Sequence, residues 1–380
     1  MTVTTSHGTA LAYGLVIGVA ACCWGKAASA ESRSFVVSYF YEASWSDGKT
    51  DCPDGTNPSA IDFYRVELAR AGHSHEEIEN ALKDFPGEAG VPQPWIPLVM
   101  TRGNGKDNVY IHPTTMPDPG LTVVQGKYAY GFNLDGKGAA SPNSFEEPDT
   151  HELGVNNQLY RVVGCIRSYR GLPPPGRPIL PEIHWDVARN VMPAWLITVS
   201  SAGTLAKDGD VTIAIDRATD RITRDASGTA AQADMTYQTD PDPRFHNLLK
   251  GRIQNGIVTT TEPAHVRIVA DPAVMPVLDF SDARLRLELK PDGTARGMIG
   301  GYQPWRMIYY DMSKSGYVTE YPSSIDSPAV YYALRRNADG DPDPRTGENR
   351  GISSTYKIEA VPAFVVSPGG AGATRVAADK

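Results

Sequence analysis

Several features are scarce in this sequence, and each scarcity closes a class of function. Cysteine occurs only four times in 380 residues. There is no CxxCH for covalent c-type haem and no CxxC pair of the kind that holds zinc. Basic charge is not in excess: 36 Lys and Arg face 44 Asp and Glu, a net charge of -8. That balance argues against nucleic acid and anionic membrane surfaces as partners. Mean hydropathy is -0.32, and no sustained apolar run follows the N-terminus, so no membrane span is expected in the mature chain. Neither GxSxG nor HExxH is present, and no Cys–His context suggests a thiol nucleophile. Gly131 to Gly138 nearly matches a phosphate-binding loop, but Gly138 stands where Ser or Thr would hold Mg²⁺. No nucleotide is expected.

What is present begins with a targeting segment. Leu11 to Gly25 is apolar, and Ala28-Ser29-Ala30 before Glu31 resembles a signal-peptidase site. Residues 1–30 therefore read as a signal peptide, and the mature chain as periplasmic or secreted. Val19-Ala20-Ala21-Cys22 is lipobox-like and offers a lipoprotein as the alternative. Removing residues 1–30 removes one Lys and no acid, so 35 bases face 44 acids and the charge becomes -9. It also removes Cys22 and Cys23, leaving Cys52 and Cys165 in an oxidising compartment. Bridged, they would close a long loop worth about 4–5 kcal/mol; two unpaired buried thiols are the other reading.

The 36 Gly and 30 Pro favour many short elements over long helices. Phe35 to Tyr41 reads as a strand, and Ser59 to Ala71 as a helix stopped by Gly72. Ser74-His75-Glu76-Glu77 is a capping box opening a second helix that Pro86 ends. A short strand is expected at Asn108 to His112 and a longer one at Leu121 to Phe132. Val155, Leu159, Val162, Val163 and Ile166 form the apolar stripe of a third helix. Past the Pro-rich stretch 172–181 the pattern becomes alternating: Trp195, Ile197, Val199; Val211, Ile213, Ile215; Leu285, Leu287, Leu289. Ser327-Pro328 opens a further helix. The fold class expected is mainly β with a few helices. An α+β part spans 31–171, a linker 172–181, an antiparallel β-sandwich or jelly-roll-like domain 182–367, and a disordered tail 368–380.

The segment Phe132 to Cys165 concentrates candidate ligands. Asn133, Asp135, Glu146, Glu147, Asp149, Glu152 and Asn157, with glycines between, suit the six to eight oxygens that Ca²⁺ prefers. A polar surface loop is the plain alternative. A second acidic loop carries Asp339, Asp341, Asp343 and Glu348, with Pro344 and Arg350 where an EF-hand wants Gly and Glu. His75 and Glu79 share a helix face, but no third ligand accompanies them. Tyr302, Trp305, Tyr309 and Tyr310 could stack on sugar rings or an apolar ligand, or could be core.

Four stretches, DCPDGTNP, FNLDGKG with GVNNQLYR, LRLELKPDGTARGMIGGY and DPDPRTGENRGISSTYKIEAVPAFVV, together resemble an uncharacterised family of secreted bacterial proteins. The resemblance implies export, and a partner among periplasmic c-type cytochrome-domain proteins. The residues favour an exported, calcium-stabilised binding or accessory protein without catalysis. The alternative is a secreted glycan hydrolase using two carboxylates, in which His151 and His184 would be the first histidines to test.

Overall fold

The computed structural model describes residues 1–2, 30–170, 184–186, 192–269 and 277–367. The signal-peptide, linker and tail expectations fall mostly or wholly outside these residues. Among the described residues the first elements are strand β1 (Glu31–Glu42) and three helices, α1 (Ala60–Arg70), α2 (His75–Leu82) and α3 (Trp95–Met100). A two-stranded ribbon, β2 (Phe145–Glu146) and β3 (Leu153–Val155), precedes α4 (Gln158–Val163). Then come β4 (His184–Asp186), β5 (Pro193–Ser201), β6 (Gly209–Arg221), β7 (Met235–Gln238), β8 (His246–Gln254) and β9 (Ile257–Thr260). After β10 (Ala264–Val269), β11 (Val277–Leu289) and β12 (Ala295–Pro304) lie α5 (Trp305–Ser313), α6 (Tyr317–Ser323) and α7 (Ser327–Asn337). β13 (Gly340–Pro342) and β14 (Asn349–Val366) finish the described chain.

The expected sandwich is corrected here. Eight antiparallel strands run in the order β1-β5-β6-β8-β9-β11-β12-β14, and β14 pairs with β1 to close a barrel. Closure rests on Phe35–Val37 and Tyr39–Glu42 pairing with Tyr356–Pro362 across a bulge. Alternation in sequence says which side chains share a face. It does not say whether the two outer strands of a sheet find each other.

The alternation itself is met. Val211, Ile213 and Ile215 turn inward from β6, Leu249 and Ile253 from β8, and Leu285, Leu287 and Leu289 from β11, all buried. An eight-stranded barrel has an interior just wide enough for side chains to fill. Here Phe40 stacks on Tyr356 at 4.7 Å and meets Trp195 edge-on at 4.6 Å. Gly297 lets β11 and β12 approach, because a Cβ there would lie 1.9 Å from the Arg286 carbonyl oxygen.

Helices α4, α5 and α7 pack against the barrel, adding Leu159, Ile308, Val330 and Leu334 to its core. A second core joins α1, α2 and α3 through Tyr64, Leu68, Leu82, Trp95 and Val99. The capping box forms as expected, with Ser74 and Glu77 bonded reciprocally to each other's backbone N–H. Cys52 and Cys165 are bridged, tying the N-terminal loop to the end of α4. Two expected strands do not form among the described residues, and two helical features differ from expectation. Asn108 to His112 is a turn around buried Val109 and Tyr110, and Leu121 to Phe132 makes only the isolated bridges Tyr128–Glu146 and Phe132–Asn156. The aromatic stretch after Pro304 is helical. Asp326, not Ser327, is the N-cap of α7. Among the described residues no helix is long and apolar enough to cross a membrane.

Glu42 sets a carboxyl at a buried position of the barrel wall. Glu42 pairs in register with Tyr356, is 2% exposed, and neither of its carboxylate oxygens has a hydrogen-bond partner among the described residues. Burial pushes its carboxyl up to about 8. The neutral acid is the form the barrel tolerates. Its folded value lies above its unfolded one, so its stabilising share is complete below about 4.5 and is lost as pH rises through 8. Glu42→Gln should match the wild type near pH 4.5 and melt several degrees higher at pH 9. The limit of that gap is roughly 4–5 kcal/mol. Melting curves of both proteins across this range check it.

Candidate functional site

The acidic segment between Asn133 and Asn157 is where cation ligands were expected, and its oxygens meet donors from the chain itself. Asp135 accepts from the Lys137 N–H at 3.0 Å and Ser141 Oγ at 2.7 Å, with Lys137 Nζ at 3.5 Å. Asn133 Oδ1 accepts from the Gly138 N–H. Glu146 sits between Lys127 at 3.2 Å and His151 at 2.8 Å. Asn157 caps α4, its Oδ1 accepting from the Tyr160 N–H. Asp149 and Glu152 are exposed.

Glu147 is the anchor. It is fully buried and accepts from the N–H groups of Asp149 and Thr150 and from Thr150 Oγ1. Arg286 Nη2 reaches it at 3.0 Å. Arg286, Met298 and Lys357 are cross-strand neighbours on the outer wall of the barrel. The loop therefore docks its charge on a strip of barrel cations. Burial pulls Lys357 down to about 8, against the opposing pull of Asp149, Glu147 and Glu359, and its Nζ lies 3.4 Å over the Tyr130 ring. Among the described residues no group of three His, Cys, Asp or Glu side chains converges on a point that could hold a metal ion.

The second acidic loop is similarly engaged. Asp339 accepts from the N–H and Oγ of Ser353, both at 2.7 Å, and Asp341 from Ser281 Oγ at 2.6 Å. Asp343 accepts from the Arg345 N–H, and Glu348 pairs with Arg335 at 2.9 Å. Of the four aromatic candidates, Tyr302, Trp305 and Tyr309 are buried and Tyr310 is exposed. Trp305 and Tyr309 both pack on Tyr331, and Tyr309 OH donates to the Tyr110 carbonyl at 2.9 Å. His184 pairs through its backbone with Tyr41.

The constellation with most chemical potential lies elsewhere, where α1 meets the turn between α6 and α7. A pocket of about 180 Å³ is lined by Phe63, Val66, Glu67 and Arg70 of α1, by Pro119 to Leu121, and by Ser324 and Asp326. Behind it Arg102 is fully buried, bonded to Glu320 at 2.7 Å and to Asp326 at 3.3 Å. Glu320 also accepts from Tyr64 OH at 3.1 Å, from Tyr110 OH, and from the Ser327 N–H at 2.9 Å. Burial alone would lower Arg102, but Glu320, Tyr110 and Asp326 hold it well above its ordinary value.

Two carboxyl groups face this pocket in a reluctant state of charge. Burial pushes Asp326 up to about 7, although Arg102 opposes the shift; Glu320 and Glu67 add to it. Burial also raises Glu67, against the pull of Arg70 and Arg102. Glu67 Oε1 pairs with Arg70 at 2.6 Å, while Oε2 is buried without a partner among the described residues. A carboxyl poised near neutrality beside a second one can hold a cation, or can give and take a proton. Sequence reasoning passed over both. The missed signal is on α1: Ala60, Phe63, Tyr64, Glu67 and Leu68 form its buried stripe, and one member is an acid.

Comparison with known proteins gives no match: no protein-family model, curated protein or solved structure is similar to this chain. Fold and site therefore rest on the chain's own physics. The docking of the acidic loop makes a direct prediction. Arg286→Met leaves Glu147 buried without its cation and should destabilise the protein by roughly 3 kcal/mol. Arg286→Lys should lose less. Urea unfolding of the variants measures both.

Proposed function

We propose that this is an exported binding or accessory protein, and that the pocket between α1 and the α6–α7 turn is its ligand site. The observation that carries the reading is the meeting of Glu67 and Asp326 in one concave, partly apolar site. With Glu320 behind them, three carboxyl groups face the two guanidiniums of Arg70 and Arg102. Fully ionised, the group keeps one negative charge. Phe63, Val66, Pro119 and Leu121 supply the apolar walls. Such a site favours a small organic cation with a short apolar body. Export is supported by the apolar segment and the Ala28-Ser29-Ala30 pattern before β1.

The same pair favours a second reading, a secreted hydrolase in which Asp326 gives and takes the proton. A carboxyl held near 7 has the poise of a general acid. The two readings part in one set of experiments. Binding of agmatine or butylamine, followed by calorimetry, should strengthen as pH rises through about 7 and Asp326 ionises. Asp326→Asn should abolish that pH dependence, and Glu67→Gln should weaken binding about tenfold. Turnover of a glycan or ester substrate by the wild type, lost in Asp326→Asn, would replace binding with catalysis. Absence of both cation binding and turnover removes the pocket from the account.

Calcium at the acidic loop is a separate part of this proposal. Asp149 and Glu152 are its exposed oxygens, beside a Glu147 already held by Arg286. If calcium stabilises the loop, millimolar Ca²⁺ raises the melting temperature by several degrees and EDTA reverses it. An unchanged midpoint leaves the chain's own donors as the sole partners of the loop.

A further inference from the structure

Where α5 begins, α7 ends and the loop into β14 folds over both, there is a groove of about 480 Å³. Four arginines line it: Arg306, Arg335, Arg336 and Arg350. Among the described residues Asp343 and Glu348 are its only acids. Each is already met: Glu348 by Arg335 at 2.9 Å, Asp343 by Arg345 at 3.6 Å. Arg336 pairs with Asp118 outside the groove. Among the described residues Arg306 and Arg350 have no carboxylate within ion-pair distance. Arg350 Nε donates to the Asp341 carbonyl at 3.3 Å, and Arg306 lies over the Trp305 ring at 4.6 Å. This concentration of positive charge belongs to a chain whose net charge is -8.

Ordinary helix electrostatics explains half of it. Arg335 and Arg336 sit in the last turn of α7, where cations are favoured. Arg306 is at the opposite kind of position. It is the second residue of the nine-residue α5, whose first turn has no side-chain cap. A cation there opposes the helix dipole, and first-turn N–H groups that no side chain caps favour negative charge. The groove thus joins two arginines that make no ion pair, though Arg350 is near enough to help lower the Asp343 carboxyl, to a helix start without a side-chain cap.

We propose that this groove binds a small multivalent oxyanion, with Arg306 and Arg350 as its principal holders. Planar guanidinium forks suit paired oxygens, whether phosphoryl or carboxylate. The volume is within the range of small-ligand sites. The site is separate from the Glu67–Asp326 pocket and stands without it.

Calorimetry at low ionic strength with inorganic pyrophosphate and with citrate tests the proposal and tells phosphoryl from polycarboxylate preference. At least one should bind in the micromolar range, weaken steeply with added salt, and outcompete acetate. Arg306→Gln with Arg350→Gln should weaken that binding at least about tenfold, and Asp326→Asn should leave it unchanged. Glu348→Gln frees Arg335 and should tighten binding a few-fold, which keeps the test open should the double variant fold poorly. Binding of neither anion below about 10 mM, or equal affinity in wild type, double variant and Glu348→Gln, overturns the proposal.

Discussion

The pairing of β1 with β14 joins the two ends of the described chain, and the architecture depends on it. Ser38 Oγ donates to the Glu359 carbonyl across 321 residues of sequence. Between those positions lies every other barrel strand. Unpaired, β1 and β14 would each expose a row of backbone donors and acceptors, and the interior would open to water. Paired, they enclose Phe40, Trp195, Phe280 and Tyr356 in one aromatic core. Closing so long a loop is slow, because the ordering cost comes before the contacts that offset it.

Closure also explains where the irregular parts of the chain go. β12 and β14 are buried on both faces over much of their length, since the helices and the acidic segment lie on their outer side. Gln158 N–H bonds Ser353 Oγ on β14, fastening α4 there. Gly300 leaves room on β12 for the Phe132 ring, which a Cβ there would approach to 2.9 Å. The disulfide fixes the far end of the same helix to the loop at Cys52. Arg170, salt-bridged to the fully buried Asp51 at 2.5 Å, adds a charged clasp beside it. The middle of the chain is thus held to the barrel at several points, by bonds of different chemistry.

Much of the fold was legible, and what was not has a physical reason. Period-two alternation located β6 and β11, and the capping box located α2, because both signals are local. The Cys52–Cys165 bridge followed from two cysteines left in the chain after residue 30. Sandwich against barrel was not legible, because both use the same inward alternation and differ only in a pairing between distant strands. In the acidic loop the oxygens can be counted from sequence, while the donors that meet them cannot. Arg286 lies more than a hundred residues beyond Glu147, and nothing local announces their contact. Glu67 and Asp326 escape notice for the same reason, since a pair from a helix and a distant turn leaves no spacing.

One pattern connects these contacts. In an acidic chain, sequence alone makes carboxylates look like the active partners and arginines like background charge. The structure reverses the emphasis. Arg286 receives the first acidic loop, Arg102 organises Glu320 and Asp326, and Arg335 takes up Glu348 of the second loop. A buried guanidinium carries five donors in a rigid fork and keeps its charge, so one arginine can satisfy carboxylates from separate elements. Arg102 does so for α6 and the α6–α7 turn while donating to the Val99 carbonyl at 2.8 Å. Its Nε stays buried without a partner among the described residues, so even this hub is incompletely satisfied. Glu67 Oε2 is likewise buried without a partner among the described residues, so two polar atoms of this cluster are not used in holding the fold.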